Sequence, residues 1–310
     1  MQRLLLSCLL LLISFSLQAS GSTDQALKWL ERMSASLQDL HYQGTFTYEQ
    51  GDVMESLRIA HAVYDGQYFE RLQYLDGAKR EIIRRGEQLS CFQPGQRLVR
   101  FYQRGQQLKE SGLPAQIERY YDLSVEGDGR IAGRETIDLQ LTPKDQHRLG
   151  YLLSLDQKTG LLLRMKLIGR DQAVLERFQF VEVQVGERIP AELFEFNDSA
   201  GASKAATISA KPLSSRWRLG WKPEGFVSTV RSDTVVSDDI ATFSDGLAAF
   251  SVFVEPGIES NQKADQLQRG ATAVYSLVGK SEDKDYRITV VGEIPKATAQ
   301  RIAQSMQRLR

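Results

Sequence analysis

HYQGTFTYEQGDVMESLRIAHAVYDGQYFERLQYLDG, residues 41–77, is the stretch that decides the fold. In residues 42–50, Tyr42, Gly44, Phe46 and Tyr48 alternate with Gln43, Thr45, Thr47 and Glu49. A period of two places alternate side chains on opposite faces of a sheet. Gly51-Asp52 breaks the run, and LRIAHAVY (57–64) then leads through Asp65-Gly66 into QYFERLQYL (67–75) and Asp76-Gly77. Asp-Gly supplies the positive φ angles of a tight hairpin turn. A two-residue loop at Asp65-Gly66 sets Val63 opposite Tyr68, His61 opposite Glu70, Ile59 opposite Leu72 and Leu57 opposite Tyr74. That face is apolar with one ionisable pair in it, and a cross-strand ion pair is the expected reading of the pair. Two further strands, REIIRRGEQLSCF (80–92) and QRLVRFYQR (96–104), are divided by Pro94-Gly95. The expected object is a broad, curled antiparallel sheet with one greasy face, not a βαβ unit.

The chain of 310 residues is long enough for about two domains. Its 39 basic and 39 acidic residues balance, and no segment concentrates Lys and Arg with interleaved aromatics, so nucleic acid is not indicated as a partner. Arg3 followed by LLLSCLLLLISFSL and Gln18-Ala19-Ser20 has the layout of a cleavable signal peptide. Residues 1–19 are assigned to it, with cleavage after Ala19 or alternatively after Gly21, which predicts export to the periplasm. Cys8 falls too early in the apolar run for a lipoprotein cleavage box, and loss of the leader leaves Cys91 as a single buried strand thiol. No later segment is apolar enough to span a bilayer.

Residues 23–40 read as an amphipathic helix, with Leu27, Leu30, Met33, Leu37 and Leu40 on one stripe and Ser22 with Gln25 as a capping box. Such a helix is expected to cover the greasy face. After a polar loop holding Gly112 and Pro114, QIERYYDLSVEG opens as a helix and GDGRIAGRETIDLQLTP forms a hairpin. Gly127, Gly129 and Ala132 match G-x-G-x-x-A, but the flanks lack the strand-then-helix context of a dinucleotide site. RLGYLLSLD, LLLRMKLIG and VLERFQFVEVQVG follow as strands, and AELFEF as a short exit. The first domain, 22–196, is thus expected to hold one helix and about ten strands. NDSAGASKAATISAKP, 197–212, is small, polar and aperiodic and reads as a linker. Residues 213–310 read as a smaller antiparallel-sheet domain closed by a helix over Lys296 to Leu309, with Ala299, Ile302, Ala303, Met306 and Leu309 as its apolar stripe and Pro295 at its start. The fold class is α+β, mostly β.

Catalysis is not indicated. His41, His61 and His147 have no metal-ligand spacing, and no nucleophile elbow or P-loop occurs, so no catalytic, cofactor or metal residues are assigned. Asp233, Asp238, Asp239 and Asp245 lack the spacing of a calcium loop and read as solvated turn residues. What stands out is Phe46, Tyr48, Leu57, Ile59, Val63, Tyr68, Leu72 and Tyr74 on one side of a curled sheet. They read either as an ordinary core under the first helix, the commoner case, or as the lining of a cavity for an acyl chain.

At HYQGTFTYEQG (41–51), MESLRIAH (54–61), FERLQYLDGAKREIIR (69–84), GWKPEGF (220–226), FSDGLAAFSVFVE (243–255), GATAVYS (270–276) and VVGEIPKATAQRIAQS (290–305) the chain closely resembles the RseB/MucB family of periplasmic regulators of the envelope-stress sigma factor. These stretches span both domains. The resemblance implies an N-terminal domain similar to the lipoprotein carriers LolA and LolB, a half-open barrel with a hydrophobic cavity and a covering helix. It implies a smaller C-terminal domain with a main part in partner binding. The implied partner is the periplasmic segment of a membrane anti-sigma factor of the RseA/MucA type, shielded from site-one proteolysis until lipid or lipopolysaccharide releases the regulator. Self-association as a homo-oligomer is implied as well. The alternative is a periplasmic carrier of lipids or lipoproteins, against which the second domain argues.

Overall fold

A computed structural model describes residues 23–85, 113–195, 217–228, 235–236, 240–256, 265–279 and 285–308. The leader, Ser22, Cys91, the strand expected at 96–104, the linker at 197–212 and Asp233, Asp238 and Asp239 lie outside them.

Helix α1 covers residues 23–39 and buries Ala26, Leu30, Met33 and Leu37, with Leu27 and Leu40 partly buried on the same cluster. The strands β1 (Tyr42–Gln50), β2 (Val53–Tyr64) and β3 (Gln67–Tyr74) form two successive hairpins. Their registers are those the turns require: Val63 pairs with Tyr68, His61 with Glu70, Ile59 with Leu72 and Leu57 with Tyr74. Asp65 and Gly66, at φ 51° and 74°, make the turn. Strand β2 begins earlier than expected, at Val53, because Gly51-Asp52 also serves as a two-residue turn, with Gln50 opposite Val53. Asp76-Gly77 closes a longer loop, since Tyr74 pairs with Arg80 of β4 (Arg80–Arg85).

Helix α2 (Leu113–Tyr120) starts sooner than the sequence suggests, with Pro114 in its first turn, where a missing N–H costs nothing. Then come β5 (Tyr121–Ile131), β6 (Arg134–Pro143), β7 (Gly150–Asp156), β8 (Leu162–Ile168) and β9 (Val174–Val185). Gly127, Gly129 and Ala132 lie in the β5–β6 hairpin and its turn, which settles them as backbone features of a sheet. The nine strands form one open antiparallel sheet in the order β4-β3-β2-β1-β9-β8-β7-β6-β5. Its inner face and α1 share one apolar cluster. On the outer face the exit segment turns as a short 3-10 helix, Ala191–Phe194, and packs Ile189 and Phe194 on Ala60, Ala62 and Ile83.

The remaining strands are β10 (Trp217–Leu219), β11 (Val227–Ser228), β12 (Val235–Val236), β13 (Ile240–Ser244), β14 (Ala249–Pro256), β15 (Asp265–Arg269), β16 (Thr272–Gly279), β17 (Tyr286–Gly292) and, after helix α3 (Lys296–Gln304), β18 (Met306–Arg308). They make a six-stranded sheet, β11-β13-β14-β17-β16-β15, and a three-stranded one, β12-β10-β18. Ala299, Ile302 and Ala303 of α3 are buried as expected, on the core of Phe243, Phe250, Val252 and Val290. The helix nevertheless ends at Gln304, not at Leu309. Met306 leaves the helical stripe and pairs with Leu219 as a strand, and Leu309 lies outside the described residues. The cause is tertiary. The single Ser305 hydroxyl proton is shared between the carbonyls of Ile302 (2.8 Å) and Trp221 (3.1 Å), and the Trp221 N–H donates to the same oxygen at 3.0 Å. Strand pairing with β10 therefore overrides the local helical pattern. Strand β15, whose polar residues give no alternating signal, was not expected from the sequence.

Candidate functional site

Phe46, Tyr48, Leu57, Ile59, Leu72 and Tyr74 are buried on the inner face and belong to one cluster with α1. Val63 and Tyr68 are half-buried near the Asp65-Gly66 turn. The same face continues on strands the sequence reading did not assign to it. Phe178 and Phe180 of β9 meet Phe46 edge-on at 4.9 and 6.0 Å between ring centres. Tyr151, Leu153, Met165 and Leu167 extend it over β7 and β8. The alternation in RFQFVEV and LLLRMKLI carries that signal, but only the sheet order joins it to β1.

His61 is 4% exposed and stacks on Tyr42 at 4.9 Å between rings. Burial lowers its pKa to about 4, so the ring is uncharged at neutral pH. His61 and Glu70 face one another across β2 and β3, as the turn requires, and the imidazole is at the same time a buried ring stacked on Tyr42.

At one end of the inner face the two sheets meet at two polar anchors that the sequence reading missed. The first is centred on Arg148, whose side chain is fully buried. Its Nε donates to Asp245 Oδ2 at 2.7 Å, and its other nitrogens donate to Asp145 and to the Glu224 carbonyl. The guanidinium also lies 4.4 Å from the Tyr120 ring centre and 5.0 Å from that of Phe226. Asp245 Oδ1 accepts the backbone N–H groups of Leu247 and Ala248 at 2.9 and 2.7 Å, and the Tyr121 hydroxyl donates to Oδ2 at 3.4 Å. Asp245 is thus a buried partner of Arg148, not a solvated turn residue. Burial, and then the nearby Asp245 carboxylate, push the Tyr121 hydroxyl well above its ordinary pKa. Gly225 belongs here too. It holds φ +85°, and a Cβ there would lie 2.3 Å from the Tyr120 ring.

The second anchor is Glu176, 2% exposed. It accepts from the Tyr48 hydroxyl (2.9 Å), Gln50 Nε2 (3.0 Å) and the Ala271 N–H (2.8 Å), and Gln50 also donates to the Arg269 carbonyl at 3.1 Å. Gly270 closes this turn at φ +56°, where a Cβ would lie 2.5 Å from Gln50 Cγ. Next to Arg148 in the chain, His147 Nδ1 is 3.1 Å from Thr298 Oγ1, and its ring meets Trp221 edge-on at 4.9 Å. Among the described residues no group of three His, Cys, Asp or Glu could hold a metal ion, and no helix is long and apolar enough to cross a membrane.

Residues 25–197 match the model of the MucB/RseB N-terminal domain, and residues 211–307 that of the MucB/RseB C-terminal domain. The chain belongs to the MucB/RseB family. It is 37% identical to the "Sigma factor AlgU regulatory protein MucB" of Pseudomonas aeruginosa, over 96% of each chain. It is 31% identical to the "Sigma-E factor regulatory protein RseB" of Salmonella typhimurium, over 99% of this chain and 98% of that one. The structure of MucB in the Pseudomonas aeruginosa MucA/MucB complex superposes with a TM-score of 0.74 at 34% identity, covering 92% of this chain and 99% of MucB. The MucB/RseB family is one of regulatory proteins, not of enzymes, and in this member the two anchors hold the nine-stranded sheet to the second domain.

Proposed function

We propose that the protein is an exported periplasmic regulator that binds the periplasmic segment of a MucA/RseA-type anti-sigma factor. Bound there, it shields the segment from site-one proteolysis, and lipid or lipopolysaccharide releases it. The observation that carries this reading is likeness over nearly the whole chain to a MucB solved together with MucA. The leader-like N-terminus supports export, with cleavage after Ala19 and a linker at 197–212 between domains of 22–196 and 213–310. The apolar inner face supports the lipid arm, with Phe46, Tyr48, Leu57, Ile59, Val63, Tyr68, Leu72 and Tyr74 as the residues an acyl chain would meet. A ligand shifts partner binding only through different affinities for two states of the protein. A coupling of about 1–3 kcal/mol would change partner affinity roughly 5- to 150-fold.

The test is a protease-protection assay with the cognate anti-sigma periplasmic segment and its site-one protease, with and without lipopolysaccharide. The expected result is protection that lipopolysaccharide relieves. Protection indifferent to lipid removes the lipid arm, and cleavage at the unprotected rate removes the regulator.

A further inference from the structure

We propose that the second domain is a latched stopper on one end of the apolar face, so that an acyl chain on that face and a closed joint exclude one another. This rests on the lipid-release reading and names the part that moves. Leu247 and Ala271 come from two turns of the six-stranded sheet, β13–β14 and β15–β16. They are 3% and 0% exposed and sit in the same apolar cluster as Phe46, Tyr48 and Leu57 of the nine-stranded sheet. Each turn is tied down beside its apolar residue. The Leu247 N–H is held by Asp245, which Arg148 and Tyr121 hold in turn. The Ala271 N–H is held by Glu176, which Tyr48 holds.

Tyr48 and Tyr121 are the connecting parts. Both rings lie in the apolar cluster, and both hydroxyls donate to a latch carboxylate. A chain that displaces either ring therefore loosens a latch. Opening lets the carboxylates and the guanidinium recover water, which offsets much of the lost hydrogen bonding. It also uncovers the apolar surface beneath Leu247 and Ala271, and that surface returns to water unless something apolar replaces them. A straight acyl chain supplies that replacement. It thereby favours the open form, and the closed form opposes the chain by the same factor.

Two variants test this in the mature protein, which has lost the leader with Cys8, after Cys91 is changed to serine. The first, Gln50→Cys with Gly270→Cys, removes the Gln50 bond to Glu176 and sets a Cβ on Gly270 beside both Gln50 Cγ (2.5 Å) and Glu176 Oε1 (2.7 Å), so the reduced form has this latch broken and oxidation staples the β15–β16 turn in its place. Uptake of a fluorescent sixteen-carbon fatty acid should be roughly tenfold weaker in the oxidised form than in the same protein reduced. The second, Asp245→Asn with Glu176→Gln, carries spin labels on the exposed positions Glu135 and Gln304 after their change to cysteine. The fatty acid should move its distance distribution to longer values, and at lower concentration than in the labelled parent. Equal uptake by the stapled and reduced forms overturns the stopper while leaving the lipid reading intact. An unmoved distance distribution at saturating fatty acid does the same. Absence of uptake by every form removes the lipid reading itself, and the stopper with it.

Discussion

The β1–β3 face and the joint between the two sheets are built by opposite means. The face is made of neighbours in sequence, two hairpins closed by two-residue turns, and its contacts are apolar. The joint is made of residues far apart, Arg148 with Asp245 and Glu176 with Ala271, and its contacts are mostly charged or polar. Burial of an apolar side chain is favourable wherever it happens. A buried guanidinium or carboxylate is favourable only while its partners are in place. The face is therefore where stability is stored, and the joint is where the proposed opening would take place.

The sharpest test of that contrast is Phe46→Ala. Phe46 is 0% exposed and contacts Phe178 and Phe180. Its truncation should cost about 3–5 kcal/mol, seen in urea denaturation as an early loss of the nine-stranded sheet. With Trp29 changed to phenylalanine, Trp217 and Trp221 report on the second domain, which should keep its own transition. If both regions lose the same stability together, the two sheets are one cooperative unit and the contrast breaks.

The face was legible in the sequence and the joint was not, for the same physical reason. Period-two alternation and the Asp65-Gly66 turn are local, and they fix both register and buried face, so Leu57, Ile59 and Leu72 were placed from the residues alone. The failures lie where distant chain decides. Asp245 in FSDG reads as a turn residue because an aspartate beside glycine is usually exposed, and only Arg148, 97 positions away, makes it a buried partner. Met306 fits a helical stripe until β10 offers it a strand to pair with. Phe178 and Phe180 alternate as expected, but that β9 lies beside β1 is a property of the sheet order. One hint was present: the resembling stretches GWKPEGF, FSDGLAAF and GATAVYS hold Glu224, Asp245, Leu247 and Ala271, all of them at the joint.

The one titratable imidazole buried in the face gives the next prediction. His61 falls from an ordinary 6.5 to about 4 because burial disfavours its charged form. Its pKa is thus lower folded than unfolded, and the unfolded chain binds the extra proton as pH falls through 6.5. The stability His61 preserves is fully present above that value and is lost on acidification toward about 4. The loss should reach about 3 kcal/mol by pH 4. It is read as the difference between the parent and His61→Phe in urea midpoints at pH 7 and pH 4. A parent curve parallel to that of His61→Phe would mean that the imidazole is hydrated, and that the β2–β3 face is wetter than the joint.

The smallest effect belongs to the joint, and there its sign matters more than its size. Glu176→Gln keeps the shape and one carbonyl oxygen but removes the charge that strengthens the bonds from Tyr48, Gln50 and Ala271. The global loss should be only about 1–2 kcal/mol, because an opened joint lets the amide, the Tyr48 hydroxyl and the Ala271 N–H bond to water. Hydrogen exchange separates this from damage to the core. Faster exchange should appear at Ala271 and across β15–β16, with the amides of β1 and β2 unchanged. Tyr48→Phe should produce the same local pattern, and combining it with Glu176→Gln should add less than the sum of the two, since both remove one latch. If the protection lost is that of β1 and β2, Glu176 supports the face rather than the joint. The two regions would then be a single structure, and closure of the second sheet would be part of the fold rather than a state of it.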